Sequence, residues 1–495
     1  MAARSIGRII GSLAEQSPHQ TAITYEDRSL TWLELDKRTN RLARAYQQFG
    51  VSPDDLVTIA LPNGIEFYES ALAIWKLGAT PQPISARLPR LEAEAIVRLA
   101  GSKLIVGAEP GSIGSCAALA PGFVPDPSLP DTPLPERSAR HWKAMTSGGS
   151  TGRPKLIVQE SPGEFDIEQP GVFQMFRMVP RRTHLVPGPL YHNGPFSLSM
   201  LALYLGNDLV VLPRFDPLRV LECIERHRVD YVMLVPTMMH RIWRLGSEVR
   251  ARYDLASLRI MLHLGAPCPR WLKEAWIDWL GPERVHELYA GTEGQCTTWI
   301  AGTEWLARPG SVGKPLFGRM KVVDGSGNDV APGVVGEVYL IPEAGPGTTY
   351  HYVGAEPKTL HGWDSLGDMG WMDADGYLYL TDRQTDMILR GGENVYPAEV
   401  EAAIDCHPRV RSSAVIGVPD DDLGQRVHAF VDAPEGVTDG ELLLHLAEHL
   451  AGYKIPQSFD YVREPLRDDA GKVRRTALRD QWMANHRMVA SQRIR

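Results

Sequence analysis

Between Thr31 and Tyr46 the chain reads TWLELDKRTNRLARAY, with Leu33, Leu35, Leu42 and Ala43 at helix-compatible spacings. Thr31, whose hydroxyl can accept a backbone N–H, marks the helix start. Leu56 to Leu61 (LVTIAL) reads as a short strand, Pro62-Asn63-Gly64 as a turn and Ile65 to Leu77 as a second helix. The alternation recurs: Pro217 to His227 predicts a helix, Tyr231 to Leu234 a buried strand, Ser257 to Leu264 another strand and Arg270 to Leu280 another helix. Strands interleaved with helices of this length predict an α/β architecture with largely parallel sheet.

After about Gly310 the pattern changes. Met320 to Val323, a turn at Asp324-Gly325-Ser326-Gly327, and Gly336 to Leu340 predict short antiparallel strands. Trp371 to Leu380, with Asp375-Gly376 between aromatic residues, predicts a hairpin. Thr381 to Gly392 is charged and ends in paired glycines, as a joint would. Beyond it come a helix at Glu399 to Cys406, strands at Ser412 to Gly417 and Arg426 to Val431, and a helix at Glu441 to His449. These make a compact α+β unit of about a hundred residues, enough for its own core. The Gly- and Pro-rich stretch 101–139 reads as surface loops around one or two short elements. The expected organisation is a large N-terminal α/β region over 1–384, mostly parallel in its sheets and with a smaller β-rich part. A hinge at 381–388 then leads to a small mobile C-terminal domain over 386–495.

The chain has 495 residues, 43% hydrophobic and 23% charged, the balance of an ordinary globular protein. Its formal net charge of -8 argues against nucleic acid or an anionic membrane as partners, although a local basic pocket is compatible with it. The five cysteines are scattered without a CxxC pair, which points to reduced thiols and a cytoplasmic location. Neither a targeting segment nor an apolar run near the roughly 20 residues of a membrane span is evident.

The chemistry starts at Thr146-Ser147-Gly148-Gly149-Ser150-Thr151-Gly152-Arg153-Pro154-Lys155. Glycines permit dihedrals that let successive N–H groups face one anion, while hydroxyls add donors and Lys155 adds a mobile positive charge. A solvated surface turn would use the same letters. Four other stretches favour phosphate binding. Leu190-Tyr191-His192-Asn193-Gly194 sets an aromatic ring and an imidazole in a loop, and Leu288 to Gly294 sets Thr292 and Glu293 in a turn. Gly362 to Asp368 offers a carboxylate in a further turn, and Asp382-Arg383-Gln384-Thr385-Asp386 precedes Gly391-Gly392-Glu393-Asn394.

With these stretches in this order, and Gly471-Lys472 after them, the chain resembles the adenylate-forming superfamily of acyl-CoA synthetases, adenylation domains and luciferases. The resemblance extends over nearly the whole sequence. It implies that a carboxylic acid and ATP give an acyl-adenylate and pyrophosphate, after which the acyl group passes to a nucleophile. Positioning and charge stabilisation should dominate such chemistry. Thr146 and Ser147 to Gly152 would hold the β- and γ-phosphates, with Lys155 nearby. This is not the Gly-x-x-x-x-Gly-Lys-Ser/Thr P-loop. Thr292 and Glu293 would touch the α-phosphate and hold Mg²⁺, Asp368 would bind the ribose hydroxyls, and Arg383 would approach ribose or phosphate. Adenine would lie between Gly265-Ala266-Pro267 and the Tyr289 ring.

Lys472 resembles the catalytic lysine that the small domain delivers to the carboxylate and α-phosphate. A second orientation of that domain would withdraw it and present the Gly391-Gly392 face to the thiol tunnel, pivoting at Thr385 where relatives usually carry Asp or Lys. His192 resembles the ring that gates between acid pocket and thiol tunnel, with pocket lining as the plainer alternative. Three further departures stand out: Ala290 before Gly291, Leu366 where Thr is frequent, and Leu156 where glycine is usual.

By the same resemblance His192, Asn193, Phe196, Met200, Met238, His263, Leu264 and Gln295 would line the acid pocket. Its apolar character, without an acid placed for a substrate amine, disfavours amino acids and suits bulky ring-bearing or aryl acids. About twenty residues follow Lys472, so a free-standing enzyme is expected, with acceptor arriving by diffusion. CoA is the commonest acceptor in the family, making the expected activity an ATP- and Mg²⁺-dependent acid–thiol ligase. An amine or a separate carrier protein as acceptor is the alternative, and a non-catalytic nucleotide-binding protein is a further one. Oligomeric state is not legible.

Overall fold

Strands that must be buried on both faces are short apolar runs, and Tyr231–Leu234 and Ile260–His263 are buried at every position. In the computed structural model they lie at the centre of a nine-stranded sheet. The residues described are 3–148, 154–168, 171–383, 386–390, 393–420, 422–468 and 471–492. Six strands run parallel: Val285–Ala290, Ile260–His263, Tyr231–Leu234, Thr183–Val186, Asp208–Val211 and Thr21–Tyr25. Antiparallel strands Thr297–Ala301, Lys314–Phe317 and Arg28–Thr31 extend the two edges. A second sheet of four parallel strands, Thr80–Pro83, Leu56–Ile59, Leu104–Val106 and Ala117–Leu119, packs beside it. Two of those strands are the short elements of the Gly- and Pro-rich stretch.

Helices cover these sheets. Trp32–Gln48 begins at a capping box in which the Thr31 hydroxyl and the Glu34 carboxylate satisfy each other's backbone N–H. Between the sheets lies an aromatic cluster in which Phe196 meets Phe67 and Trp75, and Trp75 meets Tyr204. Helix Asn193–Tyr204 is therefore anchored along its length in the core.

The β-rich part has two antiparallel units. Ala144–Gly148, Pro154–Gln159 and Tyr350–Val353 form one. Arg319–Val323, Gly336–Ile341, Trp363–Met372, Lys358–Leu360 and Leu378–Arg383 form the other. The turn expected at 362–368 is instead part of the strand Trp363–Met372, because its residues pair on both sides with neighbouring strands. Likewise Tyr289 and Ala290 belong to a strand, and only the residues after them turn. Only Ile260–His263 of the strand expected at 257–264 is extended, because Arg259 and Ile260 both donate their N–H to the Asp230 carbonyl.

The C-terminal part is built on strands Glu393–Val395, Ile388–Arg390, Gly424–Asp432, Ser412–Asp420 and Ser458–Val462. Helices Pro397–Asp405 and Asp439–Ala447 cover one face, and the helix Arg475–Gln492, with no counterpart in the sequence reading, covers the other through Trp482. Its core is separate from that of the large region. Thr385, the expected pivot, and Gly391 and Gly392 lie outside the described residues.

Candidate active site

In a parallel sheet, loops leaving the carboxyl ends of successive strands converge on one crevice. Four of the central strands do this here. Thr183–Val186 leads to Tyr191-His192-Asn193, and Tyr231–Leu234 to the helix Pro236–Trp243. Ile260–His263 leads to Leu264-Gly265-Ala266, and Val285–Ala290 carries Tyr289 and leads to Thr292 and Glu293. The convergence is tight: a Cβ on Gly194 would meet Met233 Cε at 3.0 Å and Leu264 Cδ1 at 3.2 Å.

On one side of this crevice is the hairpin Ala144–Gly148/Pro154–Gln159, which pairs Ser147 with Lys155 and Gly148 with Pro154. Its tip, including Gly149, Ser150, Thr151 and Gly152, lies outside the described residues. Thr146 accepts a 2.7 Å hydrogen bond from Gln82. Lys155 Nζ lies 3.7 Å from Glu293 Oε1 and 3.7 Å from the Tyr352 ring centre. Tyr352 donates to that same Oε1 at 2.6 Å. Burial, with Glu293 beside it, holds the Tyr352 phenol protonated far above its ordinary range.

Gly291 sits directly over this group. A Cβ there would meet Leu366 Cδ1 at 2.5 Å and Glu293 Oε2 at 2.9 Å, so a larger residue at 291 would have to displace both side-chain ends. Ala290, one position earlier, is exposed and has room for its methyl. Gln295 is fully buried beneath, its Nε2 directed to Asp364 at 3.5 Å and its Oε1 unpartnered among the described residues. Its Oε1 would lie 3.6 Å from a Cβ on Gly291. Thr292 is half-buried between Gly291 and Glu293.

Tyr289 donates to Asp368 Oδ2 at 2.7 Å, fixing a carboxylate beside an aromatic face. Asp368 pairs in register with Arg383, whose side chain is outside the described residues. Gly265 has a left-handed φ of +87°, and the neighbouring Pro267 is exposed. Gly265-Ala266-Pro267 thus form an accessible turn next to the strand end bearing Tyr289.

Lys472 approaches from the C-terminal part. The chain returns on itself here: the Asp468 carboxylate accepts the Lys472 N–H at 2.9 Å, and the Asp468 carbonyl accepts the Gly471 N–H at 2.9 Å. Gly471, at φ +76°, packs so closely that a Cβ would meet Thr237 Oγ1 at 2.9 Å. The turn is therefore seated on the first residues of helix Pro236–Trp243. Burial, the Lys472 ammonium and, in opposition, Asp468 act on His192, whose imidazole is lowered to about 4 and is neutral at pH 7. Its ring lies 4.3 Å from that of Tyr191.

The residues expected around the acid divide into two groups. Asn193, Leu264 and Met238 stand at the crevice, where the helix start, the Leu264 loop and helix Pro236–Trp243 meet. Phe196 and Met200 are wholly buried in the core. His263 is wholly buried too, with Glu287 at 3.9 Å and the Lys273 ammonium 2.5 Å from that carboxylate. Sequence reading missed Tyr352 and Lys143. Lys143, three residues before Thr146, is 3% exposed, and its ammonium is 2.5 Å from Asn193 Oδ1, bonded to Ser197 Oγ and 4.3 Å from the Trp142 ring. Burial lowers it to about 7. Among the described residues, no helix is long and apolar enough to cross a membrane.

Comparison with known proteins bears on this geometry. Residues 12–353 match the family "AMP-binding enzyme", and residues 399–472 match "AMP-binding enzyme C-terminal domain". Feruloyl-CoA synthase of Amycolatopsis sp is 33% identical over 93% of this chain and 95% of its own. 2-Succinylbenzoate–CoA ligase of Geobacillus kaustophilus is 33% identical over 94% and 95%. The o-succinylbenzoate CoA synthetase of Bacillus subtilis, solved with its acyl-adenylate, superposes with a TM-score of 0.81 at 25% identity, covering 97% of this chain and 98% of that one. The amide bond synthetase McbA of Marinactinospora thermotolerans superposes with a TM-score of 0.79 at 25% identity over 96% and 99%. With both parts of the chain matched and the adenylate-forming fold shared, this protein belongs to the AMP-binding enzyme family.

Proposed function

We propose that the protein is an AMP-forming carboxylate–CoA ligase for an aryl or other ring-bearing acid. The observation that carries this reading is the seating of the Lys472 turn on helix Pro236–Trp243, within electrostatic reach of His192. A binding protein has no need to bring an ammonium from its last domain to the rim of the acid crevice.

In the first half-reaction a carboxylate oxygen of the acid attacks the α-phosphorus of ATP, and the bond to pyrophosphate breaks. Lys472 stabilises negative charge crowding between the two reactants. Lys155 and the residues 147–152 receive the departing phosphates, and Asp368 with Tyr289 holds the nucleoside. Glu293 fits a Mg²⁺ ion: it offers one hard oxygen, Oε1, already oriented by Tyr352, and a second, Oε2, without a partner among the described residues. Mg²⁺ takes one or two carboxylates beside phosphate oxygens and water, and when bound would neutralise phosphate charge. In the second half-reaction the CoA sulfur attacks the acyl carbon, AMP leaves and the thiol proton passes to solvent. His192 stays neutral and acts by swinging rather than by proton transfer. Thr385 as pivot, with 1–384 and 386–495 as moving parts, completes the reading.

An amine in place of CoA is the second reading, favoured by the likeness to an amide bond synthetase. Pyrophosphate release from ATP and Mg²⁺ with a panel of aryl acids tests adenylation. Adding CoA or amines, with product masses read, distinguishes the acceptors. Release with no acid in the panel would overturn the ligase reading.

A further inference from the structure

Lys143 is a buried amine that, among the described residues, has no carboxylate partner. Its ammonium contacts two neutral oxygens, Asn193 Oδ1 and Ser197 Oγ, and one aromatic face. Both oxygens belong to the first turns of helix Asn193–Tyr204, and Ser197 also bonds Asn193 Oδ1 at 3.1 Å. An ammonium has only donors. Lys143 and Ser197 both donate to Asn193 Oδ1, which turns the amide oxygen towards Lys143 and Nδ2 away from it. Asn193 is half-buried, and its Nδ2 has no partner among the described residues and is not a sealed orphan. Its two N–H donors belong to the residue after His192, on the helix end whose own peptide dipole is positive.

We infer that Lys143 and Asn193 together select acids whose ring carries a hydrogen-bond acceptor, a carbonyl, phenolate or second carboxylate oxygen, facing Asn193 Nδ2. Lys143 is a positioning residue that fixes the polarity of the pocket, and Asn193 is the residue that reads the substrate. The arrangement disfavours an amine at that point, since two N–H donors offer a cation no acceptor. An acceptor, by contrast, gains a hydrogen bond from an amide already polarised by the two donors on its oxygen. The inference rests on the ligase reading, because it takes the crevice beside His192 as the place of the acid.

Stable mimics of the acyl-adenylate test it without turnover. Acyl-sulfamoyl adenosines made from 3- and 4-acetylbenzoate, their isopropenyl counterparts and 3- and 4-(aminomethyl)benzoate differ only at the ring substituent. Calorimetry on the wild-type chain should show one acetyl isomer binding about tenfold tighter than its isopropenyl partner, the worth of one hydrogen bond. Lys143→Met should bring that ratio near one while the isopropenyl mimic binds as before. Asn193→Asp keeps the size of the side chain and its contact with Lys143 but presents only acceptors. It should reverse the preference towards the aminomethyl mimic, a gain that misfolding cannot produce. Equal binding of the acetyl and isopropenyl pairs by the wild-type chain, or ratios unchanged in both variants, would overturn the assignment. Failure of every mimic to bind better than AMP would instead overturn the ligase reading beneath it.

Discussion

Tyr352 and Glu293 come from different structural units, yet the phenol of one donates to the carboxylate of the other at 2.6 Å. Tyr352 sits on the strand Tyr350–Val353, whose partner strand carries Lys155, so one antiparallel pair positions both groups that hold Glu293. The phenol stays protonated, hence remains a donor, throughout the working pH range. Removing it frees Glu293 to turn. Tyr352→Phe should lower ATP- and Mg²⁺-dependent pyrophosphate release about tenfold, the cost of one hydrogen bond to a charged group. It should also raise the Mg²⁺ concentration needed for half-maximal rate. A Mg²⁺ titration of both proteins checks this, and an unchanged midpoint would refute it.

Lys472 is the group whose removal should separate the two half-reactions. Lys472→Ala should slow acyl-adenylate formation by roughly 10²–10³-fold, the usual cost of one donor aimed at developing charge. Transfer from pre-made adenylate to CoA should be largely preserved. The same variant removes a positive neighbour from His192, so its imidazole should titrate at a higher pH, measurable by NMR. Equal loss of both half-reactions would contradict the role given to Lys472.

Asp368 should govern nucleotide use. Asp368→Ala removes the carboxylate that accepts from Tyr289, so the KM for ATP should rise by about tenfold or more. The acid KM should change little. Tyr289→Phe removes only the hydroxyl and should give a smaller rise. Steady-state titration of each substrate measures both, and an unaltered ATP dependence in Asp368→Ala would remove the assignment.

What the sequence made legible follows from how local each signal is. Tyr231–Leu234 and Arg270–Leu280 are found at the bounds expected, because apolar runs and helical periodicity are properties of neighbouring residues. Thr292, Glu293 and Lys472 could be named because their motifs are contiguous. Tyr352 and Lys143 could not. Tyr352 lies in an unremarked strand, and its importance arises only where Pro154–Gln159 brings Lys155 alongside. Lys143 reads as a solvated lysine before an apolar strand until the fold sets it against helix Asn193–Tyr204. His263, expected in the pocket by the resemblance, is a site of which sequence shows only the strand: that it is wholly buried with Glu287 at 3.9 Å emerges from the fold.

Stability should fall as pH drops below about 6.5. Burial lowers His184 to about 3, and His192, His240 and His286 each to about 4. Above their unfolded value of 6.5 these rings are neutral in both states and cost nothing. Between 6.5 and 4 the unfolded chain takes up protons that the folded chain refuses, so each ring removes up to about 1.4 kcal/mol per pH unit. Asp208 and Asp405, raised to about 6 chiefly by burial, and Glu66, also raised by burial, act in the opposite sense, but the lowered imidazoles, which include His227, His263 and His407, outnumber them. Thermal midpoints between pH 7.5 and 4.5 should therefore decline. His184→Phe should flatten the decline, since His184 is stacked on Tyr231 and its shift has burial as its sole cause. A midpoint independent of pH over that interval would contradict the balance.

Arg244 should set how firmly the small domain holds the orientation in which Lys472 meets the crevice. It caps the helix Pro236–Trp243, whose other end seats the Lys472 turn. Its guanidinium donates to three carbonyls of the C-terminal part, Val410, Pro408 at 3.3 Å and His407 at 3.4 Å. One helix therefore grips the small domain at both ends, and the Arg244 grip is made with side chain to backbone, so it can break without unfolding either part. Hydrogen bonds to a charged donor contribute about 1.5–3 kcal/mol, enough to shift an equilibrium between orientations by roughly 10–100-fold. Arg244→Ala should slow adenylate formation by up to that factor, spare CoA transfer and increase protease cleavage within residues 381–392. Loss of both half-reactions together, with an unchanged cleavage rate, would show that Arg244 merely supports the helix it caps.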